Sequence, residues 1–146
     1  MPSYTAQLSS SASPDVVFAY LAQFDNTVHW DPGVIAAHAE TGGLPALGSV
    51  YALTLNLGGG PEVLRYHVTA YEPPVRVALE ADGSKFRSHD EITVEPDGSG
   101  SKITYHAQLD LKGLLKISAP FAGCALRAAG DAAIAGLTRE LAGLTP

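Results

Sequence analysis

The 146-residue chain has one cysteine, Cys124, which excludes an intrachain disulfide and any cysteine-rich metal site. Basic residues are also scarce: nine Lys and Arg stand against fifteen Asp and Glu, for a net charge of −6. That balance excludes the basic stripe selected by nucleic acid and a polybasic grip on anionic lipid. No apolar run approaches the roughly 18 residues of a membrane-crossing helix, so stable membrane insertion is not expected. Residues 1–11 lack both the basic and the apolar regions of a signal peptide. The expectation is a cytoplasmic protein, either a monomer or a homodimer. Internal repeats and linkers are absent, which makes 1–146 a single domain. Charged residues are only 16% of the chain and hydrophobic ones 46%, which leaves apolar side chains beyond those of the core to line a pocket.

Most of the chain carries the period-two alternation of strands. Ser3–Ser11 is the first of these. Ser13-Pro14-Asp15 then starts a helix, with a capping hydroxyl, a proline in the first turn and an acid at the positive end of the dipole. That helix runs to Ala22, and a second short one runs from about Asn26 to the Asp31-Pro32-Gly33 stop. Further strands are expected over Val34–Glu40, Ser49–Leu57, Glu62–Glu72, Val75–Ala81, Lys85–Glu95 and Ser101–Leu111. The hairpin signal is strongest at Pro96-Asp97-Gly98-Ser99-Gly100. Setting Glu95 opposite Lys102 there brings Glu91 to His106 outward, and Ile92 to Tyr105 and Asp90 to Ala107 inward. Across Gly58-Gly59-Gly60 the same logic pairs Leu53 with Tyr66 and Leu55 with Leu64.

Ser118–Leu144 is the one long helical segment. At 100° per residue, Gly123, Leu126, Gly130, Ala133, Ile134, Leu137, Leu141 and Leu144 share a stripe. Its middle narrows to Gly and Ala, which leaves either room between helix and sheet or a close backbone approach. Strands in a meander with helices at the chain ends define an α+β protein.

The stretches Ser11-Ala12-Ser13-Pro14-Asp15-Val16-Val17-Phe18, Phe24-Asp25-Asn26 and Trp30-Asp31-Pro32-Gly33 carry a resemblance. Gly48-Ser49-Val50-Tyr51, Val68-Thr69-Ala70-Tyr71-Glu72-Pro73-Pro74 and residues 93–101 continue it. Together they resemble the START-like, helix-grip superfamily, in particular its bacterial polyketide cyclase/dehydrase and lipid-transport type. The resemblance implies a seven-stranded curved antiparallel sheet around the long C-terminal helix, with a cavity between them.

In such a cavity the alternation places Tyr51, Leu53, Tyr66, Phe86, Ser88, Asp90 and Tyr105 from the sheet. The helix brings Gly123, Gly130 and Ile134, with Arg127 at the stripe's edge, and Trp30 lies near the entrance. Asp90 stands on an apolar face, either as a proton-transfer group or as a structural carboxylate tied to backbone or Arg127. Arg127 has three possible partners: Asp131, Asp90 or a ligand. Tyr66 completes the catalytic candidates.

His67, His89 and His106 fall on the outward face, and no histidine has metal-site spacing. His38 is isolated, and His29 lies by the presumed entrance. Cys124 is expected to be a buried, inert thiol. Gly58-Gly59-Gly60 lacks the context of a phosphate loop, and no cofactor is expected.

Two functions remain open. One is binding or transport of a small hydrophobic or aromatic molecule, such as a lipid, isoprenoid or polyketide-like compound. The other is cyclase/dehydratase chemistry, in which a pocket Asp or Tyr moves a proton and Arg127 or a Tyr stabilises an enolate.

Overall fold

The structure, a computed structural model, describes residues 2–56, 60–113 and 119–144. Strand β1 (Ser3–Ser10) leads into helix α1 (Pro14–Ala22), a 3-10 turn (Phe24–Asn26) and the one-turn helix α2 (Thr27–Trp30). Six strands follow: β2 (Val34–Ala39), β3 (Val50–Asn56), β4 (Pro61–Glu72), β5 (Arg76–Asp82), β6 (Phe86–Asp97) and β7 (Gly100–Leu111). Helix α3 (Ala119–Ala142) closes the fold. Of the expected features, Leu57, Gly58, Gly59 and Ser118 lie outside the described residues.

All seven strands form one antiparallel sheet in the order β1-β7-β6-β5-β4-β3-β2. The meander places each strand beside the next, and only β1 crosses to the far edge. Register shifts at Val34/Ala36 and Val68/Ala70 bend the sheet so that it curls around α3. This is the seven-stranded helix-grip arrangement expected from the sequence.

Burial follows the alternation closely. Tyr51, Leu53 and Leu55 of β3 are buried, as are Leu64, Tyr66 and Val68 of β4 and Phe86, Ser88, Asp90, Ile92 and Val94 of β6. In α1 the Ser13 hydroxyl accepts a hydrogen bond from the Val16 amide, and Val17, Phe18 and Leu21 face the core. Gly98 has φ 60° at the first central position of the β6–β7 turn, as a II′ hairpin requires.

The β6–β7 register is the expected one: Glu95 faces Lys102, Ile92 faces Tyr105 and Asp90 faces Ala107. The β3–β4 register differs. Tyr51 pairs with Tyr66 and Leu53 with Leu64, a two-residue slip from the expected pairing of Leu53 with Tyr66. A two-residue slip leaves every side chain on its original face, so the alternation alone does not distinguish the two pairings.

Helix α3 packs against β1 and α2. Leu137 and Leu141 are fully buried at its C-terminal end, and Tyr20 of α1 donates a hydrogen bond to Glu140 at 3.1 Å. Two glycines set how closely it approaches. A Cβ on Gly136 would lie 1.9 Å from the Trp30 carbonyl oxygen, and one on Gly130 would lie 2.7 Å from the Tyr4 ring. Close approach therefore occurs at two points, Gly130 within the narrow stripe and Gly136 beside it. Between Gly123 and Ala129 the helix is largely exposed: Cys124, Ala125, Arg127, Ala128 and Ala129 all face solvent.

Candidate functional site

Between the curled sheet and α3 lies a cavity of about 130 Å³. The sheet contributes Leu53, Leu55, Tyr66, Phe86, Ser88, Asp90, Tyr105, Ala107 and Leu109 to its wall. Thr27, Trp30, Asp31 and Gly33 come from α2 and the turn after it, and Leu126, Ala129, Gly130, Ala133 and Ile134 from α3. Tyr4 and Phe24 complete the rings around it. The lining is most exposed at Ala129, beside half-buried Leu126, Ala107 and Leu109, so the cavity opens toward the N-terminal half of α3.

On the sheet side, a hydrogen-bonded polar group interrupts this mostly apolar wall. Asp90 sits mid-strand on β6, flanked by Leu79 and Ala107 on its neighbours, and Ser88 shares its face two residues away. Tyr66 lies two strands off, with the small Ala81 paired to both Tyr66 and Ser88. That spacing lets the Tyr66 hydroxyl reach across and donate to Ser88 Oγ at 3.3 Å. Ser88 in turn donates to Asp90 Oδ1 at 3.0 Å, and Tyr105, diagonal to Asp90 on β7, donates to Oδ2. Trp30 stands edge-on to Tyr105 at 5.8 Å between ring centroids, and Phe24 packs on Tyr66 at 5.2 Å.

Burial pushes the Asp90 carboxyl above its ordinary range, against the opposing effect of its hydrogen bonds from Tyr105 and Ser88. The charge of Asp31 adds to the rise. Asp31 is itself raised by burial, while the Gly33 amide, which donates to its Oδ1 at 2.9 Å, works in the other direction. Tyr66 and Tyr105 are pushed up mainly by burial and next by the Asp90 charge, so both keep their hydroxyl protons.

Nine of the residues expected in the cavity line it: Trp30, Leu53, Tyr66, Phe86, Ser88, Asp90, Tyr105, Gly130 and Ile134. Three do not. Tyr51 is on the inward face but packs against Phe24 at 6.3 Å, behind the wall. Nothing lies within 4 Å of a Cβ built on Gly123. Arg127 is exposed on the overhanging part of α3, and Asp90 takes its hydrogen bonds from Ser88 and Tyr105 instead. Asp131, the other proposed partner of Arg127, accepts from the Tyr4 hydroxyl at 2.7 Å.

Other placements also differ from expectation. Trp30 is buried in the wall rather than placed at the entrance, and Cys124 is exposed rather than buried. Asp31 and Tyr4 were missed. Tyr4 shared the apolar side of β1 with Ala6 and Leu8, which was the available signal. Asp31 lay in a turn motif whose facing depends on how α2 docks. The histidines do not line the cavity; His89 lies 2.9 Å from Glu80 and His106 2.6 Å from Thr5. Among the described residues no group of His, Cys, Asp or Glu is arranged to hold a metal ion, and no helix is long and apolar enough to cross a membrane.

A curled seven-stranded sheet, a long C-terminal helix and a cavity between them define a START-like protein of the helix-grip kind. The chain belongs to the polyketide cyclase/dehydrase and lipid transport family, whose model matches residues 1–142. No curated protein matches it in sequence. Among solved structures it is similar to TTHA0849 from Thermus thermophilus, with TM-score 0.80 and 11% identity over 96% of this chain and 97% of that one. The Zhui aromatase/cyclase of a Streptomyces species gives TM-score 0.78 at 11% identity, over 95% and 92% of the two chains. A START superfamily protein from Mycobacterium smegmatis gives 0.72 at 14% identity, over 95% and 98%. At these identities the likeness is one of fold.

Proposed function

We propose that this protein binds a small ring-bearing hydrophobic molecule in the cavity, with a polar group of that molecule against Asp90 and its neighbours. The observation that carries this is the largely buried group of Tyr66, Ser88, Asp90 and Tyr105, set into a wall that is apolar apart from Asp31 and Thr27 on its α2 side. Small-molecule sites have this form, an apolar lining with a few convergent polar groups. Size narrows the choice. An engineered apolar cavity of about 150 Å³ takes benzene, so about 130 Å³ accommodates one ring, with any remainder projecting from the mouth. A whole lipid or a multi-ring polyketide would need α3 to move.

A second reading, an enzyme of the cyclase/dehydratase kind, is favoured by one specific observation. Asp90 is a buried carboxyl with a raised pKa that faces the same cavity as the ligand would. It would take or return a proton next to a bound carbonyl compound. Arg127, exposed outside the cavity, has no part in this version.

Native mass spectrometry of the purified protein, followed by extraction of whatever is bound, tests the first reading. A co-purifying mono- or bicyclic compound is the expected result. A long-chain lipid filling the protein would overturn the size argument. Asp90→Asn then separates the two readings. A fall in turnover of that compound by about tenfold or more with binding retained supports catalysis. A change in affinity alone supports binding.

A further inference from the structure

The wall of the cavity is one-sided in charge. Asp31 and Asp90 both face it, and among the described residues lining it there is no Lys, Arg or His to balance them. The hydroxyl protons along the wall are already committed within the protein. Tyr4 donates to Asp131 at 2.7 Å, Thr27 to the Phe24 carbonyl at 2.8 Å, Tyr66 to Ser88 at 3.3 Å and Ser88 to Asp90 at 3.0 Å. Tyr105 donates to the second Asp90 oxygen. A hydroxyl has one proton and two lone pairs, so all five meet a ligand as acceptors. A ligand carboxylate would find no hydroxyl proton to accept and two acids to repel it, and burying it there would be costly.

We infer that the cavity selects a ring compound carrying a protonated amine, with the ammonium directed at Asp31 and Asp90 and the ring held among the aromatic side chains. This rests on the ring-binding reading above and narrows it to one charge class. An ammonium brings several donors and a charge opposite to both carboxylates. Trp30, Tyr105, Tyr66 and Phe24 surround the same space, and a cation within about 6 Å of an aromatic face is attracted to it. Burial holds both carboxyls above their ordinary range, and a neighbouring cation favours their ionised form. The amine and the site therefore stabilise each other's charge.

Three compounds with a common ring and similar length test this: 2-phenylethylamine, 2-phenylethanol and 3-phenylpropionate. Each is titrated calorimetrically into the full chain at neutral pH and about 0.15 M salt, where exposed charges are screened. The amine is expected to bind about tenfold or more tighter than the alcohol, and the carboxylate weakest. Asp90→Asn and Asp31→Asn should each lower amine affinity by about tenfold or more while changing alcohol affinity by less than about threefold. Two variants are used so that a folding defect in one leaves the other informative.

If the alcohol or the carboxylate matches the amine, the cation inference is overturned and ring binding stands. An amine preference unchanged in both Asn variants reflects attraction to the acidic surface and also overturns it. Binding of none of the three overturns the ring-binding reading, and this inference with it.

Discussion

Asp90 imposes a cost on folding that depends on pH. Its carboxyl has a higher pKa in the folded protein than in the unfolded chain, because burial disfavours the charge. Between the unfolded value, about 4, and the raised folded value, the folded state holds more protons. Stability therefore falls as pH rises through that window, and the contribution is flat below it. Asn keeps a side-chain oxygen to accept from Tyr105 or Ser88 but cannot ionise. Asp90→Asn should therefore gain stability relative to wild type between pH 4 and 7, measured by urea unfolding at each pH. A constant difference across that range would mean that Asp90 titrates normally. The facing of Asp90 is legible in the sequence because a strand repeats every two residues and Ser88, Ile92 and Val94 share its face. Asp31 and Arg127 are harder to read. Asp31 follows a single helical turn, and Arg127 lies at the edge of a stripe whose first member, Gly123, meets nothing within 4 Å, so no local period settles where either points.

Helix α3 is held by backbone proximity at one end and a ring at the middle. Alanine at position 136 would drive a methyl into the Trp30 carbonyl, which neither backbone can relieve without moving α2. Overpacking costs about 1–3 kcal/mol and Gly→Ala in a helix returns about 1 kcal/mol. Because the clash is with backbone atoms, the upper end of that cost applies, and we expect a net loss of about 2 kcal/mol for Gly136→Ala in urea unfolding. Gly130→Ala meets only the Tyr4 ring, whose shift would weaken its hydrogen bond to Asp131, and should cost less. If Gly136→Ala is as stable as wild type, α3 does not seat on α2 as described. The small-residue stripe was visible in the sequence, but it fits both a void and a close approach, and the structure contains both. Gly136, the tightest contact, lies outside that stripe because it meets α2 and not the sheet. Register was readable at the β6–β7 hairpin, where Glu95 and Lys102 fix it. It was not readable at β3–β4, where the apolar pairs fit equally well two residues away.

At the scale of the whole molecule, the order of elements and the helix-grip fold follow from alternation, turn residues and one long amphipathic segment. The size of the cavity does not, because it depends on how far α3 stands from the sheet, which is a sum of distant contacts. The account's central claim is that ligand enters this cavity. The chain's single tryptophan, Trp30, is buried in the cavity wall, so its emission reports on that space alone. The most direct measurement is a fluorescence titration of Trp30 with the ring compound that binds, in wild type and in Ala133→Phe, which fills the cavity from α3. The account predicts a saturable one-to-one change in wild type and its loss in Ala133→Phe while the variant stays folded. Saturable binding by calorimetry that leaves Trp30 emission unchanged, or that survives Ala133→Phe intact, would place the ligand elsewhere and contradict it.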